Sequence, residues 1–151
     1  TGKSWFDKQG GPYTTANRAT NWEWFSLRFY DDEEIMLFAF PQSNNYHDGT
    51  YIPKQGPAHR LNDYTLTTTD IVTVQNLKFS AGWTLDMPGI KEERYTIKPL
   101  TRGQINLGYF EQLAGIYNEA SEEVGMCFVE LLPGVLNTDV GAFGANLFKQ
   151  V

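Results

Sequence analysis

The stretch WEWFSLRFYDDEEIMLFAF, residues 22–40, decides the fold. Over residues 22–30 the side chains alternate. Phe25, Leu27 and Phe29 fall on one face, and Trp22, Trp24, Ser26, Arg28 and Tyr30 on the other. A period of two marks an extended strand, because successive side chains leave a pleated backbone on opposite sides. Asp31-Asp32-Glu33-Glu34 then forms an acidic turn, and residues 35–40 return as an apolar strand closed by Pro41. The expected unit is a β-hairpin with a short polar tip. Its acidic residues are consecutive rather than alternating, so the tip reads as a solvated turn and not as a hard-cation loop.

The same pattern recurs on both sides of this hairpin. Upstream, residues 4–7 read as a short strand, followed by the turn Gly10-Gly11-Pro12 and a polar loop over 14–21. Downstream, residues 44–49 read as a turn, 50–53 as a short strand and Gln55-Gly56-Pro57 as a break. Residues 64–68 and 71–74 are β-branched and read as two strands, while 83–87 end at Pro88-Gly89 and 94–98 at Pro99. Two longer strands, 108–117 and 125–132, flank a polar hairpin loop at 118–123. In the first, Tyr109, Glu111, Leu113 and Gly115 share a face. In the second, Cys127, Val129 and Leu131 oppose Met126, Phe128, Glu130 and Leu132.

No stretch before residue 135 carries a sustained helical period. Residues 139–149 form a candidate short C-terminal helix, weakened by Gly141 and Gly144. About eight to ten short strands between Gly, Pro and Asn clusters indicate an all-β sandwich or barrel, and the reading preferred is an antiparallel, lipocalin-like (calycin-type) β-barrel. A chain of 151 residues buries enough surface for one core, so residues 1–151 are expected to form a single domain.

Composition narrows the function classes. A formal net charge of −6 offers no attraction to phosphate backbones or anionic lipid, so nucleic acid is not an expected partner. Apolar runs are far shorter than the roughly 20 residues of a membrane helix, and no membrane span is expected. Thr1-Gly2-Lys3-Ser4 leads straight into an apparent strand, so no signal peptide is expected in this chain and the compartment stays open. The lone cysteine, Cys127, excludes an intrachain disulfide and multi-cysteine metal motifs. His47 and His59 are placed in loops, without further ligands at zinc spacing, so no metal is expected. Neither a Gly-x-Gly-x-x-Gly loop nor a Gly-x-Ser-x-Gly elbow is present, and no cofactor is expected.

Four segments carry a family resemblance. They are Ser4-Trp5-Phe6-Asp7-Lys8-Gln9 with Gly10, Asn21-Trp22-Glu23-Trp24-Phe25-Ser26-Leu27, Tyr109-Phe110-Glu111, and Gly125-Met126-Cys127-Phe128-Val129-Glu130-Leu131. In this order, across about residues 2–134, they resemble the carotenoid hydratase and AttH-like family, also called hydroxyneurosporene-synthase-like. The chain departs from that pattern at Gly10, at Phe110-Glu111-Gln112 and at Leu132-Pro133-Gly134. The resemblance implies a tandem pair of lipocalin-like barrels, with this chain similar to the C-terminal one. A second barrel, in the same chain or another subunit, is then the expected partner. It also implies an apolar small-molecule ligand (terpenoid, polyketide or lipid) and, if the protein is an enzyme, an alkene hydratase (a hydro-lyase) or a cyclase or pericyclase.

Adding water to an unactivated alkene needs an acid that stays protonated near neutral pH, and burial among apolar walls raises a carboxyl's pKa in that direction. Asp7, Glu23, Glu111 and Glu130 are the acids embedded in aromatic strands, with Asp7 and Glu111 the preferred catalytic candidates. Trp5, Trp22, Trp24, Trp83 and Tyr109 offer ring faces for a developing cation. The ligand-binding set is Trp5, Trp22, Trp24, Arg28, Tyr109 and Glu130. Against this stands a plainer role, in which the acids pair with Lys3, Lys8, Arg28 or Arg94 and the domain is structural or interacts with protein. Which hairpin face lines the lumen, that of Trp22 and Trp24 or that of Phe25 and Leu27, is open at this level.

Overall fold

The hairpin over residues 22–40 forms as expected in the computed structural model, which describes residues 22–40, 46–74, 77–104 and 110–132. Strand β1 (Trp22–Phe29) pairs antiparallel with β2 (Glu34–Phe40), setting Phe25 opposite Leu37 and Leu27 opposite Ile35. The tip turns because Asp32 takes a left-handed φ of 72°, which a short polar side chain tolerates. Asp31 Oδ1 accepts the Glu33 backbone N–H at 3.3 Å within the same turn.

Seven further strands follow: β3 (Tyr46–Ile52), β4 (His59–Arg60), β5 (Thr65–Val74), β6 (Leu77–Met87), β7 (Lys91–Pro99), β8 (Phe110–Tyr117) and β9 (Glu123–Leu132). All join one antiparallel sheet in the order β4-β3-β2-β1-β9-β8-β7-β6-β5, with no helix among the described residues. Strand β9 sits between β1 and β8, from Trp22 opposite Leu132 to Phe110 opposite Leu131, and so ties the first hairpin to the C-terminal strands.

Three sequence expectations are corrected here. The turn expected over residues 44–49 is not found at 46–49, where β3 begins at Tyr46 and runs in unbroken register against β2. Gly49 is there for close approach rather than chain reversal: a Cβ on it would lie 2.6 Å from the Met36 carbonyl oxygen. His47 and His59 accordingly lie in strands, not loops, with His47 stacked on Tyr64 at 5.0 Å and His59 paired across from Tyr51. The two strands expected at 64–68 and 71–74 are one strand, β5, which begins at Thr65 and carries register shifts around Asp70. The expected strand at 4–7 and candidate helix at 139–149 lie outside the described residues.

The sheet curls into a half-barrel, bringing the inner face of β1 against strands far from it in the order. The Phe25 and Trp83 rings meet edge to face at 5.1 Å, as do those of Phe29 and Tyr95. Phe25, Leu27, Leu37, Trp83, Leu85, Ile97, Ile116 and Val129 fill the concave side and are fully buried. Burial of each such side chain contributes on the order of 1.5–3 kcal/mol, so this inner face holds the fold together.

The acidic tip does not simply point into solvent. Lys91 Nζ lies 2.9 Å from Asp31 Oδ2, 2.6 Å from Glu33 Oε2 and 4.5 Å from the centre of the Phe29 ring. The Tyr51 hydroxyl donates to Glu33 Oε1 at 2.7 Å. These groups fasten the β1–β2 tip to β7 and β3 at one end of the barrel. Burial tends to raise the Asp31 pKa, but the Lys91 ammonium outweighs it and holds the carboxyl below its ordinary value. Burial likewise tends to lower the Lys91 pKa, and its bonds to Glu33 and Asp31 raise it overall.

Candidate functional site

At the other end, the inner face of β1 carries a carboxyl. Glu23 shares its alternation with Phe25, Leu27 and Phe29, so the register that buries those rings also turns Glu23 inward. Ser80 Oγ donates to Glu23 Oε1 at 2.6 Å, and Trp83 Nε1–H donates to Oε2 at 3.0 Å. Both donors come from β6, across the barrel. In a regular strand, residues three apart point to opposite faces, but register shifts around Ala81 bring Ser80 and Trp83 onto one carboxyl.

Burial is the dominant influence on Glu23 and raises its pKa, against the opposing pull of the Ser80 and Trp83 hydrogen bonds. The rings beside it are Trp83 and Phe25, with the stacked pair Phe79 and Phe110 (4.0 Å between centroids) beyond. Ser80 Oγ also lies 3.1 Å from the hydroxyl of Thr68, an exposed residue, and either oxygen can donate. A chain of three polar groups therefore leads from the carboxyl of the half-buried Glu23 to solvent. The arrangement can hold a proton in apolar surroundings, present it beside ring faces and replace it from outside.

The inner face also carries a buried amide. Gln112, on β8, is 1% exposed, and among the described residues neither its Oε1 nor its Nε2 has a hydrogen-bond partner. It shares the face of Phe110, Ala114 and Ile116.

Several sequence-selected residues come together elsewhere, on the opposite, convex face. Trp24 pairs across from Glu130 and Glu130 from Glu111, so Phe38, Trp24, Glu130 and Glu111 form one row over four strands. Trp22 Nε1–H donates to Glu130 Oε1 at 3.2 Å, and Trp24 meets Phe38 and Phe128 at 6.4 Å each. Arg28, on the same face, is exposed and pairs with Glu34 at 3.4 Å. Thus Trp22, Trp24, Glu111 and Glu130 do cluster, but the face of Phe25 and Leu27 lines the interior. Asp7, Trp5 and Tyr109 lie outside the described residues.

Glu23 was visible as an acid within an aromatic strand, and its parity placed it on the face of Phe25 and Leu27; that this face turns inward came from the curl of the sheet. Gln112 stood out in the sequence only as part of a departure from the family pattern, although it too interrupts an apolar stripe. Among the described residues no three His, Cys, Asp or Glu side chains gather as a metal site, and no helix is long and apolar enough to cross a membrane. Burial pushes the Cys127 thiol far up in pKa, which keeps it protonated and unreactive.

Residues 1–134 match the AttH-like family. Among solved structures, kievitone hydratase from Nectria haematococca is similar in fold, with a TM-score of 0.59 at 17% identity. The alignment covers 80% of this chain and 41% of that one, so the chain spans less than half the length of this structural relative. The half-barrel is of the lipocalin-like kind found in that hydratase. No curated protein matches the chain.

Proposed function

Because the chain belongs to the AttH-like family, we propose that it takes up an apolar small molecule of terpenoid, polyketide or lipid type and that Glu23 protonates it. The observation carrying this reading is the carboxyl held by Ser80 and Trp83 within an aromatic interior, its pKa raised by burial. In hydration, the Glu23 O–H bond breaks as a C–H bond forms at the less substituted alkene carbon, leaving a cation on its neighbour. The faces of Trp83, Phe25 and Phe79 lower the energy of that cation. Water then adds to it and releases a proton, and Glu23 is reprotonated through Ser80 and Thr68. In cyclisation the cation is captured by a second alkene of the same molecule, and a proton is lost at the end.

Asp7 and Glu111 are the competing acids under the same proposal, with Trp5, Trp22, Trp24, Arg28, Tyr109 and Glu130 as ligand wall if the site lies on the convex face. That face also supports a non-catalytic reading, in which a second lipocalin-like barrel docks on the row from Phe38 to Glu111. The partly exposed aromatic surface favours it.

The test is incubation of the purified protein with geranylacetone, a linear terpenoid with isolated trisubstituted alkenes, in ¹⁸O-labelled water. Mass spectrometry of the extract reads incorporation of label into an alcohol. The reading expects labelled alcohol from wild type and none from Glu23→Gln. Loss of product in Asp7→Asn or Glu111→Gln, with Glu23→Gln still active, would move the acid to those residues. Binding without product would leave a ligand-binding module, and no binding would leave the docking barrel.

A further inference from the structure

The orphan amide of Gln112 has a consequence for the ligand. A buried primary amide with no hydrogen-bond partner costs stability, because its donor and acceptor give up water and receive nothing in return. Leu or Met at that position would pack the same inner face without that cost. Binding sites tolerate such a cost when a guest supplies the missing bonds. Gln112 is almost fully buried, lies among Phe110, Ala114 and Val129, and shares the concave face with Glu23.

Register sets its distance from the carboxyl. Glu23 pairs with Leu131 and Gln112 with Val129, so Gln112 stands two strands across and two residues along from Glu23. With strands about 4.8 Å apart and a rise of about 3.4 Å per residue, the two Cα atoms are roughly 12 Å apart along the sheet. Curvature of the concave face brings the side chains closer than that. A molecule on the order of 10 Å long, such as a short terpenoid or a bicyclic aromatic, reaches from one to the other.

We propose that Gln112 anchors an oxygen function of an otherwise apolar ligand. Its Nε2–H would donate to that oxygen and its Oε1 would accept from it, leaving the hydrocarbon part against the rings near Glu23. The best match is an alcohol or phenol, which donates and accepts through one atom, rather than a pure hydrocarbon. This rests on the interior site proposed above and specifies the class of molecule that enters it.

The test uses 2-naphthol and 2-methylnaphthalene, two probes of nearly equal shape that differ in the hydroxyl, titrated by calorimetry against wild type, Gln112→Met and Gln112→Leu. Wild type is expected to bind 2-naphthol at least about tenfold more tightly than 2-methylnaphthalene. Gln112→Met should lose that preference and bind 2-methylnaphthalene at least as well as wild type does. Both variants, free of probe, should melt at or above the wild-type temperature. An unchanged naphthol preference in the variants would overturn the assignment of Gln112 while leaving the interior site intact. A lower melting temperature in both variants would overturn it too, showing the amide engaged by internal water. Failure of wild type to bind either probe would instead remove the interior site itself.

Discussion

Replacing Glu23 in two different ways separates its hydrogen bonds from its charge. Glu23→Ala takes the acceptor away from Trp83 Nε1–H, and Trp83 is fully buried, so water cannot substitute. An orphaned buried donor costs about 1–3 kcal/mol. Loss of the buried Cγ methylene adds about 0.8 kcal/mol. Ser80 loses less, because Thr68 stays within reach of its hydroxyl. At pH 4 the alanine variant should therefore be less stable than wild type by about 2–4 kcal/mol. Glu23→Gln retains an oxygen for Trp83 and presents an N–H₂ toward Ser80, much as a protonated carboxyl does. At pH 4 it should lie within about 1 kcal/mol of wild type.

The pH dependence has a definite sign. Burial raises the folded-state pKa of Glu23 above its ordinary value, so the folded protein binds this proton more tightly than the unfolded chain does. The resulting stability is fully present below the unfolded pKa and is lost as pH rises through the folded pKa. Wild type should thus fall in stability from pH 4 to pH 8 by an amount absent from Glu23→Gln, which becomes the more stable of the two at pH 8. Urea denaturation followed by tryptophan fluorescence at both pH values measures this. Equal destabilisation by Ala and Gln, or the same pH slope in wild type and Glu23→Gln, would refute the assignment of a buried, proton-holding carboxyl.

Other residues give independent expectations. Lys91→Met leaves Asp31 and Glu33 facing each other without their cation and should cost about 1–3 kcal/mol at pH 7, the partial exposure of Asp31 keeping the loss below that of a fully buried pair. The Asp31 pKa is held down, so the pair's contribution is present above the ordinary carboxylate range and lost as pH falls through the folded value. Acid titration of the melting temperature should show a smaller low-pH drop in Lys91→Met than in wild type. Gly125→Ala would set a Cβ 2.5 Å from the Arg28 carbonyl oxygen, between two central strands, and should cost about 3 kcal/mol or more by urea denaturation. Cys127 should resist 5,5′-dithiobis(2-nitrobenzoate) in native buffer and react fully in denaturant, since the thiol is buried and its pKa raised. Rapid native labelling would show that β9 opens readily.

Much of the fold was legible because alternation is a local signal. The period of two over residues 22–29 and 34–40 required only that one face be apolar, and both strands formed with nearly the expected bounds. Turn chemistry misled at residues 46–49, part of a stretch that read as a turn. The β2–β3 ladder needed a glycine to admit the Met36 carbonyl, and pairing overrode the local preference. Separation of residues 64–68 from 71–74 failed for a related reason: a bulge breaks the alternation without breaking the strand.

The sequence by itself determined the all-β class, the hairpin at 22–40, the acids and rings available for chemistry, and the family likeness. It could not decide which face of β1 turns inward, because both carry aromatic side chains and a strand's alternation is symmetric between its faces. Only the curl of the sheet, which sets Phe25 against Trp83, breaks that symmetry. The same curl placed Glu23 and Gln112 in the interior and set Trp24, Glu130 and Glu111 in a row outside. Residues sixty positions apart in the chain, such as Glu23 and Trp83, become hydrogen-bond partners only when burial of the apolar face closes the sheet over them.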